Sequence, residues 1–261
     1  MFLTPRWIAS HVFVLALVMA FIAAGMWQID RLNERQEENV LVAQRMGEVE
    51  SYASVLPADP NSLEFRRVRV EGSFDADAEI LIANRSDQGS PGFWVWTNFV
   101  TSEGTDLLVN RGFVGRSVIL QTSGAAPLSE VAPTAGEIVI EGLLRQGLDG
   151  GRLTEAGDQL SRPDAEFATE LLGLEPGLDA SIYLEIEAQD PPRLSSIPLP
   201  VPPPDLSEGP HRSYAFQWFT FATIGIIGYT AVLLRIRRGD QARGDVPHDL
   251  EPREQPPAVG V

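Results

Sequence analysis

The sequence predicts a membrane protein with two transmembrane α-helices flanking a mostly antiparallel α+β domain, β-rich and partly closed into a barrel, outside the cytoplasm. Three observations predict it. Two apolar runs, Ile8–Ile29 and Tyr214–Leu234, are each long enough to cross a hydrocarbon core of about 30 Å at about 1.5 Å per residue. Between them lie short segments rich in β-branched and aromatic residues, most ending in Gly, Asn or Asp. Basic residues sit where the two runs would meet the cytoplasm.

Residues 1–7 form a short N-terminus carrying Arg6. Residues 8–29 form the first span, and no convincing small-x-small cleavage site follows, so a retained anchor is expected rather than a signal peptide. Residues 30–60 form a helical extension and connector, with Val42, Met46, Val49 and Tyr52 at helical spacing. The β-rich domain covers 61–195. Its strand signals are EFRRVRVEG, AEILIANR, FWVWTNFV, DLLVNRGFVG, EIVIEGLLR and SIYLEIEA. One helix is expected in PDAEFATELLG, started by Pro163 and Asp164 and stopped by Gly173. Residues 196–213 are a Pro-rich return linker that should run extended. The second span, 214–234, ends in Arg235, Arg237 and Arg238. Residues 235–261 form a cytoplasmic tail, polar and Pro-rich from Gly239 and expected to be disordered. Arg6 and the RIRR run place both termini in the cytoplasm, and a long loop translocates despite Arg31 and Arg35.

Composition removes several function classes. The 261-residue chain has no cysteine, which excludes disulfides, thiolate nucleophiles and cysteine-held metal clusters. A net charge of −16 repels phosphate backbones, so nucleic acid is not an expected partner. A hydrolase would need a Ser-His-carboxylate set centred on His211 at the lipid surface, and no nucleophile-elbow motif is present.

The candidate site lies at the outer membrane face. The first span leaves through Trp27, Gln28 and Arg31, and the second starts at His211, Tyr214 and Trp218. His11 lies about 25 Å away along a helix and His248 falls in the tail, so His211 is the one histidine outside. Positions 211, 214, 218, 221 and 225 follow helical spacing and should share a face, with Ala16, Ala20 and Ala24 as the opposite wall. Two readings of this face are open. Interfacial aromatics, snorkelling Arg and small residues for helix approach explain it without a ligand. Alternatively it holds a flat apolar ligand, with imidazole on haem iron and Arg pairing propionates. Asn84-Arg85 and Asn110-Arg111 stand at strand ends, where turn chemistry is a stronger reading than ligand contact. Trp94 and Trp96 share one strand face as core or docking surface. Asp75, Asp77 and Glu79 read as a solvated turn, with a weak cation site as the alternative.

The segments GMWQIDR (Gly25 to Arg31) and HRSYAFQWF (His211 to Phe219) resemble the Gly-x-Trp-Gln-x-x-Arg and His-x-x-Tyr-Ala-x-x-Trp-Phe patterns of the Surfeit locus protein 1 family, the cytochrome oxidase assembly factors. ILIANR, SPGFWVWT, LLVNRGFVG and VIEGLLR resemble its intervening patches, in order. The chain departs from the family at Phe113, Gly115 and Arg212. The resemblance implies a non-enzymatic protein of a bacterial plasma membrane that helps haem a enter the catalytic subunit of a haem-copper oxidase. It implies haem a as a transient cofactor, that catalytic subunit and haem a synthase as partners alongside membrane lipid, and His211 as the iron ligand. The alternative is an anchored scaffold or binding domain without cofactor.

Overall fold

The computed structural model describes residues 4–56, 58–121, 131–154, 159–193 and 195–244. The chain divides into two compact units, one of residues 1–38 with 207–261 and the other of residues 39–206.

The first unit is made by two helices, the first of which runs on past Glu38 into the second unit. Helix α1 runs Pro5–Gly47. Among its less exposed positions, Trp7, His11, Val14, Val18, Phe21, Gly25, Gln28, Leu32 and Arg35 form a series alternately four and three residues apart. The C-terminal helix, called α5 in chain order, runs His211–Gly244 and repeats the pattern at His211, Ala215, Trp218, Ala222, Gly225 and Tyr229. That 4-3 spacing is the seam of two helices packed side by side with slight supercoiling. Gly25 is small because a Cβ there would stand 2.8 Å from the Phe219 ring. Trp218 stacks on Phe21 at 5.9 Å between centroids. Away from the seam the surface is apolar and uncovered, as at Val12, Phe13, Phe216 and Ile227 (61, 66, 76 and 64% exposed). Mean hydropathies of 2.3 and 1.7 make both helices apolar enough to cross a bilayer. Lipid is the solvent that suits such a surface, so the pair is a membrane anchor.

The seam corrects the expected wall. Ala16 and Ala20 are exposed and Ala24 is half-buried, because the partner packs against the stripe through Val18 and Gly25 instead. The helical extension ends at Gly47, so Val49 and Tyr52 leave the helix despite their spacing. At the other terminus α5 continues through residues 239–244, which were expected to be disordered; a single Gly239 does not interrupt good helix formers such as Gln and Arg. Residues 245–261 of the expected disordered tail lie outside the described residues.

The second unit contains strands β1 (Val49–Ser51), β2 (Arg67–Asp87), β3 (Ser90–Thr101), β4 (Asp106–Gly115), β5 (Ile138–Gln146), β6 (Gln159–Leu160) and β7 (Ile182–Asp190). Short helices α2 (Tyr52–Val55), α3 (Arg116–Gln121) and α4 (Ala165–Leu172) lie between them. Pairing runs β2-β3-β4-β7-β5 and returns from β5 to β2, so the barrel is closed. Every pairing around this ring is antiparallel except β4 with β7. The segments EFRRVRVEG and AEILIANR form one strand, β2, with a register shift between Asp75 and Glu79. Gly72 does not end a strand. It lets the backbone pass the Val100 carbonyl, which a Cβ would strike.

The barrel interior is built on Val68, Val70, Phe99, Val109, Ile140, Leu144 and Leu184. A second cluster, with Ile82, Trp96, Leu160, Ala168 and Tyr183, lies under α4. Leu107 and Val109 join the first cluster and Leu108 the second, so β4 is buried on both faces. Helix α4 stands where the sequence puts it: the Asp164 carboxylate accepts from Phe167 N (3.0 Å), and Gly173 closes it at φ 67°. The Pro-rich segment is latched to the barrel early. Phe113 and Leu199 exchange two backbone hydrogen bonds of 2.7 Å, and Arg193 donates to the carbonyls of Arg111 and Pro198.

Candidate functional site

Where α5 begins, Gly209 turns the chain at φ 66°. Tyr214 N and Ser213 Oγ donate to the Pro210 carbonyl (3.1 and 2.7 Å). The turn places His211 on the seam at the first position of the helix. There its Nδ1 lies 2.9 Å from Oε1 of Gln28, a side chain only 9% exposed. With Oε1 accepting, Nδ1 is the donor, and in the neutral tautomer that this contact favours the lone pair is on Nε2. A side chain at Gly209 would pack on the Nε2 edge of the ring, 3.7 Å from that atom. Just before the helix the chain is tied back to α1, by Arg35 to the Ser207 carbonyl (3.4 Å) and Gln36 to Glu208 (2.6 Å).

Of the six residues expected here, the seam unites three: Gln28 and His211 in one hydrogen bond, with Trp218 two turns further along α5. The other three face outward. Trp27 is 53% exposed, with the Arg31 guanidinium 5.9 Å from its ring centre, and Arg31 pairs with Glu34 at 2.6 Å. Tyr214 is 47% exposed and Phe221 38%. The expected single face through 211, 214, 218, 221 and 225 is therefore split: Ala215 and Ala222 take the buried positions, and Tyr214 and Phe221 fall on its flank. Spacing gives periodicity, but the partner helix decides which phase is buried.

The far end of the pair carries a second polar contact that the sequence reading missed. Tyr229 OH lies 2.7 Å from His11 Nδ1 and 3.1 Å from Ser10 Oγ. The pairs Gln28–His211, Phe21–Trp218 and His11–Tyr229 fall on one antiparallel register. The signal was available, because Tyr229 follows His211 at nearly the interval that separates His11 from Gln28.

In the barrel the two Asn-Arg pairs part company. Arg111 is 3% exposed, bonds Glu79 at 3.3 Å and donates to the Val131 carbonyl. Burial pulls its guanidinium down to about 10, partly offset by Glu79. Burial likewise raises the Glu79 carboxyl, against the pull of Arg111 and of Thr97, which donates to it at 2.8 Å. Glu79 thus belongs to the barrel's interior pairing, while Asp75 caps the turn by accepting from Asp77 N. Among the described residues no group of three acidic or histidine side chains could hold a metal ion. Asn84 adopts φ 59°, the left-handed turn its residue type permits. Arg85 lies over the Trp94 ring at 4.7 Å, while Trp96 is fully buried against Tyr183.

Comparison with known proteins matches residues 15–223 to the family model described as SURF1 family, a span that takes in parts of both long helices and the whole barrel. The chain belongs to the SURF1 family. Among its SURF1 relatives, an uncharacterized SURF1-like protein of Mycobacterium tuberculosis is 25% identical over 257 residues, covering 95% of this chain and 91% of the relative. A SURF1-like protein of Rickettsia bellii is 26% identical over 242 residues, 88% and 92% of the two chains. Surfeit locus protein 1 of Rattus norvegicus is 30% identical over 151 residues, 51% of this chain and 47% of the relative. The Gln28–His211 contact lies inside the SURF1 span, and Tyr229 lies beyond it.

Proposed function

We propose that this SURF1-family chain is an assembly factor for a haem-copper cytochrome c oxidase in a bacterial plasma membrane. In this reading both termini are cytoplasmic and the barrel stands outside. The end of the helix pair at His211 holds haem a as cargo, received from haem a synthase and passed to the catalytic subunit. No covalent step is catalysed by the protein.

The single observation that carries the reading is the Gln28–His211 hydrogen bond, which joins the two motifs carrying the family resemblance at one point. The residues suit the cargo. Gln28 holds Nδ1, so Nε2 is the nitrogen left to meet iron. Trp27 and Tyr214 offer apolar faces at the same end of the pair. Arg212, exposed, and Arg31, on an exposed and exchangeable pair with Glu34, are cations suited to propionates.

The test is the haem content of protein purified from cells that make haem a, with variants compared at equal membrane abundance. His211→Ala should lose most of the Soret absorbance and the low-spin spectrum, and His11→Ala should keep both. Equal haem in His211→Ala and the parent would sink the ligand role. A colourless parent that still copurifies with oxidase subunits would establish the scaffold reading instead.

A further inference from the structure

The barrel is open at one mouth. Strand β2 pairs with β5 only as far as Gly72 opposite Ile138, and just beyond it Phe74 packs against the interior cluster. Across the gap β7 supplies Ile186, and residues 132–135 with the return segment 193–198 wall the rest. The result is a cavity of about 630 Å³, within the size range of small-molecule sites. Its apolar wall is mainly aliphatic: Ile186, Ile197, Pro133 and Pro198, with Phe74 the one aromatic among the described residues. A flat ring system calls for a second aromatic face, whereas a flexible hydrocarbon chain does not.

The polar groups on this wall are short of acceptors. Arg111 is satisfied, because Glu79 and the Val131 carbonyl take its two Nη groups. Arg193 is not. Its Nη1 donates to the carbonyls of Arg111 and Pro198 (3.1 and 3.0 Å), while its Nε and Nη2 have no hydrogen-bond partner among the described residues. Thr134 Oγ1 accepts from Gln189 Nε2 (2.8 Å) and Ser195 Oγ accepts from Ile197 N (3.2 Å), which leaves each hydroxyl its own proton to donate. The unused capacity is therefore donor capacity, set on an apolar wall. No carboxylate lines the cavity among the described residues. What fits is an oxygen acceptor on a hydrocarbon body, and a neutral carbonyl meets these donors as a carboxylate does.

We propose that this mouth binds a single acyl chain, with its carboxyl or ester oxygens at Arg193, Thr134 and Ser195 and its hydrocarbon against Ile186, Ile197 and Phe74. The recognition rests on donors and apolar area rather than on net charge. A free fatty acid and a monoacylglycerol share that chemistry, and the test separates them.

The test irradiates the full-length protein in phosphatidylcholine nanodiscs with an oleic acid that carries a diazirine in its chain, and maps the label by mass spectrometry. Neither haem nor oxidase is needed, and His211→Ala should label as the parent does, so the outcome is independent of the haem reading. Label on α1 and α5 reports the bilayer and serves as the internal reference. Label on residues 132–135 and 186–198 should be removed by excess oleic acid or monoolein, and not by octadecane, which has no oxygen. Competition by only one of the two names the source. Ala135→Trp, at an exposed position of the wall, should lose most of the barrel label and keep that of the helices. Arg193→Gln should lower the barrel label about fivefold, and Arg193→Lys, which keeps a donor, by less. Ala135→Ser should label as the parent does and guards against a folding artefact. Label confined to the helices would overturn the proposal. So would barrel label that Ala135→Trp retains, or that octadecane removes as well as oleic acid does.

Discussion

At the scale of single residues, the informative side chains are polar groups with little water around them. Arg111 is the sharpest case: 3% exposed, paired with Glu79 and donating to Val131. Removing one partner of a buried pair strands the other, which costs about 3–5 kcal/mol. Arg111→Ala should therefore lower the stability of the barrel by about that amount in denaturant titration, whereas Arg69→Ala, whose side chain is 60% exposed, should change it by less than about 1 kcal/mol. Glu185 gives a pH signature. Burial raises its carboxyl above the ordinary 4.5, against the pull of Arg145. The folded state thus holds that proton more tightly than the unfolded state, so this residue's contribution to stability rises as pH falls from above the folded value towards 4.5. The difference in thermal midpoint between the parent and Glu185→Gln should shift in the parent's favour as pH is lowered from 7 through that window. A constant difference would show that folding does not raise the Glu185 carboxyl.

At the scale of elements, the helix pair is set by a few close approaches. Phe219 fills the space that Gly25 leaves, its ring 2.8 Å from where a Cβ would be. Gly25→Val should separate the helices and lower thermal stability, and adding Phe219→Ala should recover part of the loss, because the second change restores the space. Additive losses would mean that the two residues do not share a contact. How far these elements could be read from sequence depended on the range of their causes. The spans and α4 were legible, because hydropathy, Asp164 and Gly173 are local signals. The merging of two expected strands into β2 was not, because Gly72 reads as a terminator until Val100 is known to pass against it. The site was half legible. Gln28 and His211 are legible from their motifs, but the outward turn of Tyr214 depends on which stripe of α5 meets α1, which no single helix reveals. Barrel closure depends on β2 with β5 and β4 with β7, pairings between distant parts of the chain that leave no local mark.

For the whole molecule, the reading of both ends as cytoplasmic rests on Arg6 and the run from Arg235 to Arg238. An alkaline phosphatase reporter inserted between Gly150 and Ala180 should be active, and the same reporter after Gly239 inactive. The reverse pattern would move the His211 end of the pair to the cytoplasmic face and overturn the proposed haem site with it.

The ring of strands also imposes an order on how the protein is made. Of the ring, strands β2, β3 and β4 leave the ribosome first and can pair as hairpins at once, but the outer edge of β4 stays bare until β7, the last strand of the ring, arrives to bridge it to β5. Through that interval the nascent domain is an open sheet with its apolar interior exposed, the state in which a growing chain is most prone to stick to its neighbours. A ribosome stalled or a message cut anywhere before Ile182 would therefore yield a product without a closed barrel, however much of the sequence it contained. Loss of the last strand alone would be as damaging to the domain as loss of half of it.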